Sequence, residues 1–451
     1  MMPTVLFFAR DYQAKLFPLL KSDKYKSLYV VLNRREKEVV SANGGEDIIC
    51  LEEEFDSLSA DGELNSYLEY SFGCDRNYVG LNLQERETIL KKSISFWRNI
   101  LEKYKPSLII NETVAIELSE VLAIEAKAKG IKYMSWMSFP KQGTFYWQKS
   151  PYHNSMKETL ETIVPSETEL KEATSFVQGL RDGLERPFYV KAKSTRYSFL
   201  KFSKNIWTAM LEVSLMTKVP KLKRRMAYGA SLNTSLWNIK LFLLSVFTWT
   251  NKYDNIADSE GRELIFYPLH FEPEAVLFYM AYYFDNQVSV IENTLKCLSQ
   301  DQILVIKEHP QQTGVLLEKR FRNIKKRYPN LIFIKGEEPT TEILGKCSVI
   351  ITLGSTAGFE ALSLGKKVIN LGRVFYDAFD GVNNCKSFKE VYDLLRGNVP
   401  FNTSSAFDYF VAKMLNYIKP GNPFPHAGVY SAENVAAIKN AIEDELIRQD
   451  K

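Results

Sequence analysis

The sequence predicts an α/β protein with two Rossmann-like lobes and a mostly helical, basic insert between them. Short apolar or β-branched runs alternate with helical patterns over the first third of the chain, and the same rhythm returns at about residue 262. Between the two, from about 150 to 261, it disappears. Alternation of this kind marks parallel sheets with crossover helices. A chain of 451 residues is also too long for one core, and domain sizes favour about two or three units.

The first lobe, residues 1–150, starts with TVLFFA, a run too short and too soon broken by Arg10 and Asp11 for a signal sequence. It reads as a first strand, followed by SLYVVLN, DIICLEE, a long helix from Leu83 to Tyr104 and the buried strand SLIINE, which ends in Glu112. A helix to Gly130 and the strand IKYMSWM complete a βαβ unit. Residues 151–261 read as the helical insert, with Lys191, Lys193, Arg196, Lys201, Lys204, Lys218, Lys221, Lys223, Arg224 and Arg225 among apolar residues such as Trp207 and Met210. Two readings stay open for it: a solvated helical linker, or a surface docked on an anionic membrane. The second lobe, 262–400, runs from ELIFYPLH through a helix from Ala275 to Tyr283, QILVIKEHP, NLIFIKG, SVIITLG and KKVINLG, with further helices between. Residues 401–451 hold a late Gly421-Asn422-Pro423 turn and a final helix from Ala432, expected to pack back across the lobes.

Bulk composition narrows the function. Hydrophobic content of 45% and charged content of 25% suit a folded globular protein rather than a disordered chain. A net charge of +4 over this length does not call for a nucleic-acid partner. The five cysteines, Cys50, Cys74, Cys297, Cys347 and Cys385, lack metal-ligand spacing and read as reduced thiols, which suggests a cytoplasmic protein. The most apolar stretch, Leu241 to Thr250, falls well short of the roughly 20 residues that span a bilayer.

Chemistry concentrates in three segments of the second lobe. In SVIITLGSTAGFEAL a strand delivers Gly354, Ser355, Thr356, Ala357 and Gly358 into a helix whose N-terminus and two hydroxyls suit a nucleotide phosphate. An ordinary turn with Ser355 as a helix cap would look the same. In VIKEHPQQ a strand ends in Lys307, Glu308, His309 and Pro310; Pro310 holds His309 extended at the carboxyl edge of the sheet, where ligands bind in open α/β folds. In FYPLHFEPEA the first strand of the lobe leads into His270, Glu272, Pro273 and Glu274, placing an imidazole and two carboxylates at the same edge. Helix initiation alone would also account for Pro273 and Glu274.

Taken in order, PLHFEPEA, KEHP and GSTAGFEALSLGKKVINLG resemble the capsule polysaccharide biosynthesis family, which includes bacterial retaining transferases of β-Kdo and related ulosonic acids. The likeness covers about residues 262–400 well and the first lobe by layout. It implies a GT-B-like fold, a CMP-activated sugar donor on the second lobe and a glycan or lipid-linked glycan acceptor on the first. His309 would then contact the donor phosphate or carboxylate, with Lys307 and Pro310 beside it and His270 nearby. Ser355, Thr356, Gly354 and Gly358 would hold the phosphate, and Glu360 the ribose. The family's nucleophile lies in the loop after the lobe's first strand, where this chain offers Glu274, or Glu272, in place of Asp; Glu112 would be the general acid or base. No Asp-x-Asp motif is present, so no metal or other cofactor is expected. The alternatives are a UDP-sugar transferase or epimerase, a CMP-releasing polyol-phosphate transferase, and a non-catalytic sugar-binding subunit.

Overall fold

The computed structural model describes the chain apart from residues 1, 64–71, 73–74, 150–155, 186–198, 230–231, 248–252, 260, 273–275 and 448–451. Strands β1 (Thr4–Phe8), β2 (Lys26–Val31) and β3 (Ile48–Cys50) are followed by helix α1 (Leu83–Tyr104), β4 (Leu108–Glu112), α2 (Glu117–Ala128), β5 (Lys132–Ser138) and β6 (Thr144–Gln148). After a short helix at Met156–Glu161 come α3 (Glu167–Arg181), α4 (Phe199–Lys218), α5 (Lys221–Tyr228) and α6 (Leu232–Phe247). The α/β rhythm resumes with β7 (Glu263–Pro268), α7 (Gln287–Cys297), β8 (Gln302–Lys307), β9 (Leu331–Ile334), α8 (Thr340–Lys346), β10 (Val349–Thr352), α9 (Thr356–Ser363), β11 (Lys367–Asn370) and β12 (Val382–Asn384). Helix α10 (Phe407–Tyr417), the short strand β13 (Lys419–Pro420) and α11 (Ala432–Ile447) end the described chain.

Contacts divide the chain into two compact units, one of residues 1–155, 210–232 and 418–451, the other of 156–209 and 233–417. The stretch expected as one insert is thus shared out, its residues 210–232 joining the first unit. Lys221, Lys223 and Arg224 pair there with Glu85, Asp56 and Glu212 at 2.7, 2.8 and 3.3 Å. Those three cations are engaged inside the molecule, while Lys191, Lys193 and Arg196 lie outside the described residues.

In the first unit a seven-stranded sheet runs β13-β6-β5-β4-β1-β2-β3. Strands β1 to β5 are parallel, and β6 and β13 add an antiparallel edge that the alternation of the sequence does not signal. Because side chains alternate across a strand, Leu6 and Phe8 enter the core beneath Trp97 of α1, while Val5 and Phe7 enter the core of the other face. That second core is closed by Ile438, Ala441 and Ile442 of α11. Local signals set the helix ends: Asn82 and Glu85 form a capping box at the start of α1, and Lys105, left-handed at φ 43°, stops it before Pro106.

The second unit holds a six-stranded, all-parallel sheet in the order β12-β11-β10-β7-β8-β9. Its strands diverge from β7 in both directions, as in a doubly wound nucleotide fold, so the crevice between β7 and β10 is the topological switch point. Two Rossmann-like units in one chain give the GT-B-like composition that the motifs led us to expect. One expected element differs. In place of an α-helix to Tyr283 there is a π-type turn over Val276–Met280 and a 3₁₀ turn over Tyr282–Phe284. The Met280 carbonyl accepts from the Arg373 N–H at 2.7 Å, which draws it out of a regular ladder.

The turn into α9 is built for close packing. Gly354 is at φ 112°, and the N–H groups of Gly354 and Ser355 both donate to the Thr352 hydroxyl, at 3.1 and 2.7 Å. A Cβ on Gly358 would overlap the Tyr376 hydroxyl, which donates to the Ser355 carbonyl at 2.6 Å. Overfilling a packed core typically costs about 1–3 kcal/mol. Gly358→Ala is therefore expected to lower the thermal unfolding midpoint by several degrees, and adding Tyr376→Phe to recover part of the loss, as read by circular dichroism.

Candidate functional site

At the carboxyl edge of the second unit's sheet lies a cavity of about 320 Å³, at the low end of ligand pockets. The ends of β7, β8, β9 and β10 contribute to it. Pro268 ends β7 and Leu269 follows it, Lys307 ends β8 and Glu308 to Gln311 follow it, Gly336 to Thr341 follow β9, and Ser355, Thr356, Ala357 and Glu360 follow β10. Parallel register brings these ends to one edge: Pro268 pairs with Lys307, and Lys307 with Ile334.

Lys307 is the buried cation of the site. Only 4% of it is exposed, and its ammonium donates to the Gly336 carbonyl at 2.9 Å. Burial pulls its pKa down to about 8, against the opposing pull of Glu360, Glu308 and Glu338. Glu308 points into the protein instead, where Oε1 accepts the N–H groups of Gly314 and Leu316 at 3.0 and 2.9 Å. Burial pushes that carboxyl up to about 7 even so. Its bonds set the loop after β8, and through that loop the place of His309.

His309 is half-buried at the cavity wall, with the Phe271 ring edge-on at 5.8 Å. The Gln311 N–H donates to Nδ1 at 3.2 Å, which leaves Nε2 to carry the proton of a neutral imidazole and to act as donor. Gly336 packs on the same loop, since a Cβ there would come within 3.0 Å of the His309 carbonyl oxygen. Opposite, Ser355 caps α9 by accepting the Ala357 N–H at 3.2 Å, and the positive end of that helix faces the cavity. A buried ammonium, an imidazole, two hydroxyls and a helix N-terminus converge on one space. That set is suited to a phosphate or carboxylate.

The structure thus brings Lys307, His309, Pro310, Ser355, Thr356 and Glu360 together around one cavity. Other sequence candidates stand elsewhere. Gly354 and Gly358 do not line it; they shape the turn and its packing on Thr352 and Tyr376. His270 is off the wall, with its backbone N–H and carbonyl both bonded to the Gln287 side chain at 2.8 and 3.1 Å. Glu272 is held by Gln287 at 2.8 Å, pairs with Arg320, and exchanges backbone bonds with Gln312. Its carboxylate is a brace for the loop. Glu274 lies outside the described residues.

Glu112 belongs to the first unit, at the end of β4 beside β1, where that sheet has its own switch point. Gln13 donates to its Oε2 at 2.8 Å and Arg10 stands 4.0 Å away. Burial raises its carboxyl above the ordinary range, with Arg10 opposing. The adjoining loop is held in place by Glu36, which accepts the N–H of left-handed Asp11 (φ 49°) at 3.0 Å.

Sequence reasoning missed the segment Gly336–Thr341 and the contributions of Leu180 and Glu185. The first was legible as another strand end on the same sheet, KGEEPTT following LIFI. The second was not, because α3 reaches the cavity only through tertiary packing on α9 and α10.

Residues 193–393, just under half of the chain, match the family model of capsule polysaccharide biosynthesis proteins. The match spans all three motifs, and the family resemblance read from them stands over that region. Protein FixF of Sinorhizobium fredii (strain NBRC 101917 / NGR234) is 35% identical over 80 residues, 18% of this chain and 18% of that protein. The chain therefore matches less than a fifth of that relative's length. Among solved structures, the β-Kdo 2,7 transferase of Thermosulfurimonas dismutans KpsC is 12% identical, with 76% of this chain and 88% of that one covered and a TM-score of 0.41. The β-Kdo 2,4 transferase of the same KpsC is 14% identical, with 75% and 87% covered and a TM-score of 0.39. A UDP-GlcNAc 2-epimerase from Neisseria meningitidis bound to UDP-GlcNAc is 13% identical, with 99% and 100% covered and a TM-score of 0.30.

Lys307 supplies a pH test of the cavity. A lysine with a depressed pKa is cationic below that value and neutral above it, so anion binding that uses its charge weakens as pH rises through about 8. Calorimetric titration with a nucleoside monophosphate is expected to show affinity falling about tenfold between pH 7 and 9.5, the scale of one charged hydrogen bond. Lys307→Gln should bind weakly and without that pH dependence.

Proposed function

We propose that the chain is a glycosyltransferase of capsule or other surface polysaccharide synthesis. On this reading it transfers an ulosonic acid, Kdo or a nonulosonic acid such as pseudaminic acid, from a CMP-activated donor to a glycan or lipid-linked glycan acceptor, with retention. The observation that carries the reading is the convergence of Lys307, His309, Ser355 and Thr356 on one cavity at the switch point of a nucleotide-type sheet. A CMP-ulosonate presents one bridging phosphate and one sugar carboxylate. The buried cation and the imidazole on one side of the cavity, and the helix N-terminus on the other, offer a partner for each.

In the proposed chemistry, His309 and the start of α9 stabilise the charge that grows on the departing CMP phosphate. Such preorganised donors act in a water-poor site, where each is typically worth about a hundredfold or more in turnover. Glu360, beside Lys307, binds the ribose hydroxyls. A carboxylate of the loop after β7 attacks the anomeric carbon as the phosphate oxygen leaves, and the acceptor hydroxyl then displaces it, giving net retention. Glu272 is engaged by Arg320 and Gln287, which favours Glu274 as that nucleophile. Glu112, with its raised pKa and its bond to Gln13, is the candidate for proton transfer at the acceptor hydroxyl.

Two measurements test this. Incubation with CMP-Kdo, CMP-pseudaminic acid and UDP-sugars should release CMP from an ulosonate donor, and His309→Ala should slow release about a hundredfold with the fold intact; UDP release instead would favour the diphosphate-sugar reading. Intact-protein mass spectrometry after donor incubation should show an added sugar mass mapping to Glu274 and absent from Glu274→Gln. An adduct on another carboxylate would move the nucleophile, and a product of inverted configuration would end the double-displacement scheme.

A further inference from the structure

Between Arg186 and Tyr253 the sequence holds thirteen Lys and Arg residues and a single carboxylate, Glu212. Glu212 is 2% exposed and pairs with Arg224 at 3.3 Å, so no carboxylate of this tract faces solvent. Helix α4 lies within it and is uncommon in what it leaves outside. Trp207, Met210, Val213 and Met216 are 67%, 62%, 52% and 52% exposed. They follow one another at intervals of three residues, each turned about 60° from the last at 100° per residue, so Trp207 and Met210 share a face, Val213 adjoins it and Met216 lies on the side opposite Trp207. The exposed Lys204 and Lys218 of the same helix fall within about 60° of Trp207 at 100° per residue.

Isolated exposed apolar residues are ordinary, but Trp207 and Met210 on one helix face, with Val213 adjoining, call for a partner. Helix α6 continues the pattern with exposed Leu236, Leu243 and Val246, and its Phe242 stacks on Phe202 of α4 at 4.5 Å. No helix among the described residues is long and apolar enough to cross a membrane. An apolar face with tryptophan in it and lysines at its margin, in a tract of one charge sign, is the composition of a helix that lies in a bilayer interface.

We infer that the solvent face of α4, led by Trp207 and Met210, docks this protein on an anionic membrane surface. The docking contact is distinct from a general attraction by the basic tract, because Lys221, Lys223 and Arg224 are paired internally. Apolar insertion supplies the part of the affinity that salt does not remove; the lysines supply the part that it does. This inference stands apart from the transfer reading, since it concerns neither the cavity nor its ligands.

Flotation of the full chain with vesicles of phosphatidylethanolamine and phosphatidylglycerol, at 0.1 and 0.5 M salt, tests it. The wild-type chain is expected to float with these vesicles, more weakly at high salt, and about tenfold less with pure phosphatidylcholine. Trp207→Ser with Met210→Ser should weaken flotation about tenfold or more at both salt concentrations, since two large apolar side chains no longer enter the interface. Circular dichroism and nucleotide binding by the variant should remain as in the wild type. Absence of flotation at low salt overturns the inference, as does flotation unchanged by the two substitutions. A concentration-dependent dimer in light scattering that the same substitutions dissolve would overturn it too, assigning the face to a second copy of the chain.

Discussion

The parallel register of β7 against both β8 and β10 is the constraint on which the candidate site depends. Because all three strands point the same way, their following loops emerge at one edge, and because the chain turns to opposite sides of β7 those loops part and leave a crevice. Nothing in the individual loops makes a cavity. Pro268, Lys307 and Ser355 come from segments remote in sequence and meet only because the sheet aligns their ends.

Around that crevice the protein accepts two unfavourable burials. Lys307 and Glu308 are adjacent, nearly dry, and both displaced toward their neutral forms, the lysine to about 8 and the glutamate to about 7. They face different ways, as neighbours at a strand end do. Glu308 turns to the loop amides and fixes the path of the chain, whereas Lys307 turns to Gly336 and the cavity. One residue builds the wall and the other presents charge to whatever enters. The same separation holds at the next turn, where Thr352 and Gly358 shape the backbone and Ser355 and Thr356 meet the cavity.

The helical tract between the two α/β regions serves both compact units. Its early part, α3 and the turn after it, gives Leu180 and Glu185 to the cavity. Its later part, α5, is drawn to the first unit by ion pairs with Glu85 and Asp56 and by the burial of Met226. Between them α4 keeps large apolar side chains in solvent. A tract that is one feature by composition is therefore several by contact.

Much of this was legible in the amino-acid order, because it rests on local or periodic effects. Alternating apolar runs identified the parallel sheets, the capping box at Asn82 and the left-handed Lys105 matched the helix from Leu83 to Tyr104, and strand-end motifs pointed to Lys307, His309, Ser355 and Thr356. What the sequence could not show is which polar groups are already engaged. Glu272 and His270 look like site residues until Arg320 and Gln287, remote in sequence, are seen to hold them. Gly358 looks like part of a phosphate loop until Tyr376 is found against it. The chain by itself determined which strand ends carry the chemistry, since periodicity and turn residues act over a few positions. Only the tertiary structure decided which side chains are bonded internally and which face the cavity, because burial and hydrogen-bond satisfaction are set by partners that the fold brings from far along the chain.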